Sequence, residues 1–256
     1  CQGKSYAPTI DTASSICGNT ITVVDTADTS SKQFPYGIRL YGENLTANDG
    51  IVLAGDYSAQ NVNVSSNNIT ISRGANAIWL VGTKNINVSQ NTVLFNNSAY
   101  STKDNVFGLR LENSTNATIN TNTINANNIP YVQNVIILDK SKGVNIASNK
   151  LTGAKKHGIN LTSSSASISA NTISGNKENG IFCYKNSTMT TNKNRITGNK
   201  KHGIFVNECK GKSKINGDTI QSNKQCGIAV QKGNNVTINS AKISKSGKNG
   251  IYIFKK

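Results

Sequence analysis

Residues 157–182 read HGINLTSSSASISANTISGNKENGIF, and the same pattern recurs along the chain. Apolar and polar residues alternate in short pieces of this stretch, and alternation with a period of two predicts β-strands rather than helices. Asparagine, serine and glycine separate the pieces, as they do at turns. A Gly-Ile pair stands at each end, at Gly158 and Gly180. The stretch therefore predicts one repeat unit built of three short strands.

The repeat continues in both directions along the chain. Five Gly-Ile pairs follow one another in steps of 22, 23, 24 and 23 residues, at Gly158, Gly180, Gly203, Gly227 and Gly250. With longer steps, the same frame fits upstream at Gly50, Ala77, Gly108 and Val135. A fixed period of this size indicates a solenoid. Residues 37–256 are therefore predicted to form an all-β parallel β-helix of about eight to nine rungs.

Asparagines recur at the same place in successive repeats. One column runs through Asn67, Asn91, Asn122, Asn149, Asn171 and Asn194 and continues as Asp218 and Ala241. A second column runs through Asn96, Asn127, Asn176, Asn199 and Asn223. Asparagine tolerates left-handed backbone, and amides stacked in register can hydrogen-bond from rung to rung. We therefore assign these asparagines a structural role and do not interpret the Asn-x-Thr sequons as glycosylation sites.

Over residues 37–256 the chain resembles the right-handed parallel β-helix repeat proteins, the pectate-lyase-like superfamily. The GIxL strand, the IxxNxI segment and the asparagine columns carry the resemblance. It implies a single-stranded right-handed parallel β-helix. The superfamily includes polysaccharide lyases, polygalacturonase-like hydrolases, alginate epimerases, phage tailspikes and non-catalytic surface proteins, so the fold does not select an activity. The DPHD motif of the alginate epimerases is absent from this sequence.

The two ends of the chain differ from the repeat. Residues 1–36 do not fit it, and we expect them to cap the solenoid before a first strand. Cys1 and Cys17 could be bridged across this cap, or Cys1 could be the lipid-modified N-terminus of a bacterial lipoprotein. Cys183 is expected in the core, because it stands at an inward position. The chain ends within a rung, so end-to-end self-association through that end is a further expectation. No apolar run is long enough to span a membrane.

Positive charge is concentrated in the second half of the chain. The sequence contains 28 basic and 12 acidic residues, a net charge of +16. Residues 1–128 hold 7 basic and 8 acidic residues (−1), whereas residues 129–256 hold 21 and 4 (+17). A field of this size attracts polyanions, such as acidic polysaccharides, nucleic acids or anionic surfaces. A surface that is charged only for solubility is the alternative.

One face of the predicted helix collects the candidate functional residues. The apolar positions of GI-x-L point inward, so the residue before and the residue after the leucine point outward, and the residue before each glycine gives a third column on the same face. Rungs stack at about 4.8 Å, so these outward residues form columns on one surface. Among them are the candidate catalytic residues Arg110, Glu112, Asp139, His157, Tyr184 and His202 and the candidate substrate-binding residues Trp79, Asn160, Phe182 and Phe205. Exposed aromatic rings beside charges suit the binding of a sugar chain.

Lysines recur in the turn before each Gly-Ile pair. This lysine ridge contains Lys155, Lys156, Lys177, Lys200, Lys201, Lys224, Lys245 and Lys248. Four of them, Lys156, Lys177, Lys201 and Lys224, are the ridge residues that we predict to bind substrate. The carboxylates of a uronic-acid chain could meet successive ammonium groups along the ridge. Nucleic acid is disfavoured as the partner, because the sequence shows no platform of stacked aromatic rings and arginines.

Lyase chemistry is one activity that these residues could support. β-Elimination on a uronate needs a cation beside the carboxylate and a base that removes the C5 proton. Arg110 or a ridge lysine could supply the cation, and His157, His202, Tyr184 or a lysine with a lowered pKa could supply the base. The alternative for His157 is a purely structural role, as a turn residue stacked near Asn179.

The two carboxylates on this face allow other chemistry. Glu112 and Asp139 stand on adjacent rungs, so they could form the acid–base pair of a hydrolase. They could instead hold a calcium ion with Asn160 nearby. The structural alternative is that they only form ion pairs with Arg110 and Lys140.

The sequence leaves two classes of function open. The first is a secreted or extracellular carbohydrate-active protein that binds an acidic polysaccharide and cleaves it by β-elimination, with hydrolase and epimerase activities ranked lower. The second is a non-catalytic structural, adhesive or surface protein that binds polyanions through the lysine ridge. Ice binding ranks last, because Lys150, Arg195 and Lys242 interrupt the regular threonine column that it would need.

Overall fold

A computed structural model describes most of the repeat region. The described residues are 14–24, 36–41, 59–72, 75–96, 106–209, 211–232 and 235–254. All predicted site residues fall within these ranges. Cys1 and the repeat predicted at Gly50 lie outside the described residues, so the Cys1–Cys17 bridge and the lipid anchor stay predictions.

The described ranges form 27 short strands. The first nine are β1 Ser14–Cys17, β2 Thr20–Val24, β3 Tyr36–Tyr41, β4 Val62–Ser65, β5 Asn68–Ser72, β6 Asn76–Val81, β7 Asn87–Ser89, β8 Thr92–Phe95 and β9 Val106–Glu112. The next nine are β10 Thr118–Asn120, β11 Thr123–Asn125, β12 Val132–Asp139, β13 Val144–Ala147, β14 Lys150–Thr152, β15 His157–Thr162, β16 Ser165–Ser169, β17 Thr172–Ser174 and β18 Ile181–Tyr184. The last nine are β19 Thr188–Asn192, β20 Arg195–Thr197, β21 Ile204–Asn207, β22 Ser213–Asn216, β23 Thr219–Gln221, β24 Ile228–Gln231, β25 Val236–Asn239, β26 Lys242–Ser244 and β27 Ile251–Phe254.

The strands form three parallel sheets of nine strands each. Sheet A contains β1 and every third strand after it, sheet B begins with β2, and sheet C begins with β3. Each strand pairs with the strand three places further along the chain. In sheet C, for example, Ile159 pairs with Ile181, and Ile181 pairs with Ile204. The predicted all-β parallel β-helix is confirmed.

Inward side chains from all three sheets fill one apolar core. In β18, Ile181 and Cys183 are buried, whereas Phe182 and Tyr184 between and after them remain partly exposed. This alternation is the period of two that the sequence predicts, and Cys183 lies in the core as expected. Full burial of an isoleucine or leucine contributes roughly 1.5–3 kcal/mol, so uninterrupted inward columns stabilise each rung against the next.

The glycines of the Gly-Ile pairs at residues 158, 180, 203 and 227 are required because neighbouring rungs come very close there. A Cβ atom on Gly180 would lie 2.7 Å from the carbonyl oxygen of Gly203 and would also collide with the Cγ2 atom of Ile196. Gly158 and Gly203 face equivalent obstacles. The repeated glycine therefore reflects packing between turns of the solenoid, and none of these three glycines has a positive φ.

The first asparagine column forms a buried hydrogen-bonded ladder. The side-chain oxygen of Asn171 accepts hydrogen bonds from the backbone N–H and the amide of Asn149, both at 2.9 Å. Asn194 repeats these contacts with Asn171. The ladder ends at Asp218, whose carboxylate accepts two hydrogen bonds from Asn194 at 2.8 Å and one from the hydroxyl of Thr191. The predicted structural role of this column is confirmed.

Two details of the asparagine columns differ from expectation. The left-handed residue is the one before the ladder asparagine, as at Ser148 (φ 58°) and Ala170 (φ 54°), and not the asparagine itself. The second column is also shorter than predicted, because Asn127 is exposed and hydrogen-bonds locally to Asn125. The linked members of this column are Asn176, Asn199 and Asn223.

The N-terminal rung is built differently from the prediction. β3 pairs directly with β6, with Arg39 opposite Trp79, so the strand beside β6 comes from YGIRL at residues 36–40 and not from Gly50. β1 and β2 pair with β4 and β5, so sheets A and B already begin within residues 1–36. The domain boundary after residue 36 stays a prediction.

The last described strand, β27, leaves apolar side chains exposed. Ile251, Tyr252 and Ile253 are 46%, 45% and 68% exposed. No strand of the described chain pairs with the free edge of β27. Self-association through this end stays a prediction.

Candidate functional site

The outward face of sheet C carries an aromatic patch, which we define as Phe182, Tyr184 and Phe205 with His157 and His202 at its edge. The ring of Phe182 stacks on those of Phe205 and Tyr184, with centroids 5.3 and 5.4 Å apart. The imidazole of His157 lies 4.7 Å from the ring of Phe182, and that of His202 lies 5.2 Å from the ring of Phe205. The three larger rings are partly exposed. They present a ring surface that spans two rungs and suits stacking against a sugar.

An aromatic–arginine cluster lies at the N-terminal end of the same sheet. The guanidinium of Arg39 is 4.6 Å from the ring of Trp79 and 4.7 Å from that of Tyr36. The guanidinium of Arg110 is 5.7 Å from the ring of Trp79 and 5.9 Å from that of Phe107. These are cation–π contacts. The sequence argument that arginines do not stack on aromatic rings is therefore wrong.

Sequence reasoning missed part of this cluster. It placed the first rung at Gly50 and so overlooked Tyr36 and Arg39, although YGIRL fits the GI-x-L pattern. The pattern could have found them if the repeat had been extended across a longer insertion. Trp79, a predicted binding residue, belongs to this cluster and lies well apart from the aromatic patch, with Arg110, Ile137 and Asn160 between them in the column.

Arg110 holds both candidate carboxylates. Its guanidinium lies 3.1 Å from Glu112 Oε2 and 3.3 Å from Asp139 Oδ2. The pairing with Arg110 that the sequence offered as the structural alternative is thus present. Within the described residues, no group of three or more His, Cys, Asp or Glu side chains is placed to hold a metal ion. Arg110 neutralises the two carboxylates that the sequence suggested as calcium ligands, so the structure favours these ion pairs over a calcium ion at that place.

The predicted catalytic residues do not meet at one point. Arg110 and Glu112 stand in one rung and Asp139 in the next, whereas His157, Tyr184 and His202 belong to the three rungs that follow. Arg110 and Tyr184 are three rungs, or about 14 Å, apart along the axis. Groups that share one proton-transfer step must approach the same substrate atoms within hydrogen-bond reach. The fold therefore separates these residues into two clusters.

Both histidines take part in a second buried ladder. The backbone N–H of His157 donates to Asn134 Oδ1 at 3.3 Å, and Nδ1 of His157 accepts from the backbone N–H of Asn179 at 3.4 Å. The pattern repeats two rungs after His157, where the backbone N–H of His202 donates to Asn179 Oδ1 at 3.0 Å and Nδ1 of His202 accepts from the backbone N–H of Cys226 at 3.2 Å. Imidazole nitrogen here replaces the asparagine oxygen as the acceptor of a backbone hydrogen bond.

This ladder determines the chemistry of the histidines. An Nδ1 atom that accepts a hydrogen bond leaves the proton of a neutral ring on Nε2. Burial, followed by the charges of Lys156 and Lys201, lowers the pKa of His157 to about 3. Burial, followed by the charges of Lys201 and Lys248, lowers the pKa of His202 to about 4. Rings with Nε2 protonated and Nδ1 occupied can donate a hydrogen bond but are poorly placed to remove a proton.

Apart from Lys245, the lysines of the ridge stand in two columns. The first column contains Lys155, Lys177, Lys200 and Lys224, and rung-to-rung backbone hydrogen bonds hold its turns in register. All four residues are exposed. No acidic side chain in the described part of the chain forms an ion pair with Lys177, Lys200 or Lys224. Lys177, Lys200 and Lys224 therefore form a row of cations without ion pairs, at about the rung spacing of 4.8 Å.

The second column alternates in character, contrary to the sequence-based view of a uniform ridge. Its members are Lys156, Glu178, Lys201, Gln225 and Lys248. Glu178 lies 3.2 Å from Lys201 Nζ through Oε1 and 3.7 Å from His157 Nε2 through Oε2. Of the predicted binding lysines, Lys177 and Lys224 belong to the first column, whereas Lys156 and Lys201 flank a carboxylate.

Asn160 lies at the border of the aromatic patch. It pairs with Phe182 on one side and with Ile137 on the other, in the outward column of sheet C. Its side-chain oxygen is buried and has no hydrogen-bond partner among the described residues. Asn207, beside Tyr184, is in the same situation. Buried polar atoms are usually paired, so these two oxygens are exceptions within the described residues.

The family of the chain follows from its sequence pattern. A family model described as the right handed beta helix region matches residues 49–220, more than half of the 256 residues. The chain therefore belongs to the right-handed β-helix family, which agrees with the solenoid described above. The sequence matches no curated protein.

Several solved structures share the fold at low identity. A mutant of the periplasmic alginate epimerase AlgG has a TM-score of 0.56 and 16% identity, over 76% of this chain and 51% of that one. The A-module of the Azotobacter vinelandii mannuronan C-5 epimerase AlgE6 has a TM-score of 0.55 and 13% identity, over 93% and 71%. The Dettilon tailspike protein has a TM-score of 0.50 and 15% identity, over 93% and 60%.

These comparisons establish the fold and go no further. The chain spans about half the length of the AlgG structure that it matches. Identities of this size carry no residue roles from one protein to another. A helix able to span a bilayer is not found in the described ranges of this chain.

Proposed function

We propose that the protein is an extracellular or cell-surface protein that binds a linear acidic polysaccharide without cleaving it. The polymer lies along the solenoid axis, with its carboxylates on the first lysine column and its sugar rings on the aromatic patch. One observation carries the proposal: three exposed lysines without ion pairs stand on successive rungs, next to stacked aromatic rings.

The lysine column is costly without a partner. Two unit charges separated by one rung repel each other by about 1 kcal/mol in water, and by more near a protein surface. Lys177, Lys200 and Lys224 form no ion pair with a carboxylate of the described chain that would offset this repulsion directly. A polymer with repeating carboxylates relieves it at every rung, which favours a periodic polyanion over a single small anion.

The ring surface favours a polysaccharide among the polyanions. Phe182, Tyr184 and Phe205 offer apolar faces beside the lysines, and lysine provides an adaptable point charge rather than a fixed fork. The aromatic–arginine cluster could attract nucleic acid, but both carboxylates beside Arg110 neutralise its charge. Residues 1–128, which contain that cluster, carry a net charge of −1.

The arrangement supports binding better than cleavage. The histidines are engaged through Nδ1 in the buried ladder, and Arg110 is three rungs from Tyr184. The DPHD motif expected of an alginate epimerase is absent. Alginate and mannuronan are named for two proteins of similar fold, so these polymers belong in the first binding screen.

The proposal is tested with two variants that lose the same number of positive charges on different faces of the solenoid. A ridge variant carries Lys177→Gln, Lys200→Gln and Lys224→Gln. A control variant carries Lys150→Gln, Arg195→Gln and Lys242→Gln, which removes three charges from the outward column of sheet B. Binding to alginate, pectate and heparin is measured at about 0.05–0.5 M salt, with dextran as the neutral polymer.

The ridge variant is expected to bind about tenfold more weakly, from roughly 0.5 kcal/mol for each exposed ion contact. The control variant is expected to change the Kd less than twofold. Equal losses of affinity in both variants would show that only net charge matters and would overturn the assignment of the first lysine column as the binding surface. Tighter binding of an oligonucleotide than of any polysaccharide at equal salt would overturn the partner class. Unsaturated products, detected by ultraviolet absorbance, would contradict the proposal that the protein does not cleave the polysaccharide.

A further inference from the structure

Two columns of the solenoid each contain one cysteine, and the two cysteines stand at neighbouring positions. The inward column of sheet C contains Leu80, Leu111, Leu138 and Leu161, followed by Cys183 and Val206. The turn after sheet C contains a hydroxyl ladder of Thr83, Ser114, Ser141, Ser164 and Ser187, followed by Cys209. Each cysteine thus replaces a residue type that its column otherwise keeps over several rungs.

The two replacements meet in space. The Sγ atoms of Cys183 and Cys209 lie 3.1 Å apart, and both side chains are fully buried. The equivalent neighbours in an earlier rung are Leu80 and Ser114, whose hydroxyl reaches the leucine carbonyl at 3.5 Å. A single cysteine in either column would face leucine or serine. Only the joint replacement brings two sulfur atoms together.

We propose that Cys183 and Cys209 form a disulfide that links two successive rungs beneath the aromatic patch. The two thiols lose two protons and two electrons to a disulfide oxidant such as oxidised glutathione, which leaves as two glutathione thiols. A bond of about 2.05 Å requires the sulfurs to approach by about 1 Å. Neither sulfur is accessible in the folded chain, so the bond forms during folding, before the two rungs close over it.

The bridge supports the strand that carries the patch. Cys183 stands between Phe182 and Tyr184 in β18, and Cys209 follows β21, which carries Phe205. The cross-link therefore holds both rungs of the stacked rings in register. The alternative is a permanently reduced pair, in which the Cys183 thiol donates to Cys209. That hydrogen bond raises the pKa of Cys183, with burial adding to it, and lowers the pKa of Cys209.

The state of the pair is read directly by mapping its thiols. The full chain is carried through one cycle of unfolding and refolding in a glutathione redox buffer, then denatured in an alkylating reagent without reductant and digested. We expect a linked peptide pair that joins Cys183 to Cys209 and is two hydrogens lighter than the reduced pair, with Cys226 alkylated. Full alkylation of Cys183 and Cys209, or a link from either to another cysteine, would overturn the proposal.

A stability measurement provides the second test. The variant with Cys183→Leu and Cys209→Ser restores the residues of the neighbouring rungs and serves as the control. Refolding with dithiothreitol instead of glutathione should lower the Tm of the natural chain by about 5–10 °C, as expected for a closed loop of this length. The Tm of the double variant should be the same in both buffers. Equal Tm values for the natural chain in both buffers would contradict the bridge. None of these results depends on whether the protein binds a polysaccharide.

Discussion

The histidine ladder predicts a specific loss of stability in acid. Nδ1 of His157 accepts the backbone N–H of Asn179 and cannot do so once it is protonated. Because burial lowers the pKa of His157 in the folded chain, the unfolded chain binds the proton more tightly. The stabilising contribution is therefore complete above pH 6.5, falls as the pH drops below that value, and is lost by about pH 3.

The magnitude follows from the two pKa values. With an ordinary value of 6.5 and a folded value of about 3, acidification from pH 7 to pH 4.5 should cost about 2.5 kcal/mol at His157 alone. The variant His157→Asn should abolish this share of the loss. An asparagine oxygen accepts the same N–H, as Asn134 and Asn179 do elsewhere in the column, and it does not titrate in this range.

The assay is urea denaturation at pH 7 and pH 4.5, followed by circular dichroism of the β-sheets. All other titrating groups are common to both proteins, so their effects cancel in the comparison. The natural chain should lose about 2.5 kcal/mol more free energy of unfolding than His157→Asn does between the two pH values. An equal loss in both proteins would refute the buried, neutral state of His157.

Two further predictions concern buried and half-buried carboxylates. Thr191→Ile should destabilise the chain by roughly 1.5–3 kcal/mol, because Asp218 loses a hydrogen-bond donor. Adding Asp218→Asn should recover most of this loss, because it restores the Ile–Asn pattern of the neighbouring rung. A double-mutant cycle in urea measures this coupling. Calcium at millimolar concentration should leave the Tm unchanged, because Arg110 already forms ion pairs with Glu112 and Asp139. A rise of several degrees in the Tm on adding calcium would contradict that pairing.

The repeat and its inward columns could be predicted because they depend on periodicity alone. Inward isoleucines and the first asparagine column recur every 22 to 24 residues from Asn149 onward and at steps of up to 31 residues before it, and a slip of one residue would turn them outward. The first rung was misplaced because a long insertion separates YGIRL from the next repeat. No fixed step connects β3 to β6, so only their pairing in the structure identifies the rung.

The site was less predictable than the fold. The positions of Arg110, Glu112 and Asp139 on one face could be derived, but the ion pairs among them depend on long side chains whose direction no periodicity specifies. The histidines were predicted to be catalytic because the sequence contains only two and both fall on the same face. Their column accepts any side chain with a suitably placed acceptor, so asparagine and histidine alternate there, and the sequence does not label that position as buried.

The most direct test of the account is a lysine footprint. The protein is acylated at limiting reagent with and without alginate, and the modification of each lysine is measured by mass spectrometry of its peptides. The proposal predicts that the polymer protects Lys177, Lys200 and Lys224 on successive rungs and leaves Lys150 and Lys242 on sheet B unchanged. Equal protection on both faces, or protection centred on sheet B, would contradict the assignment of the first lysine column as the binding surface.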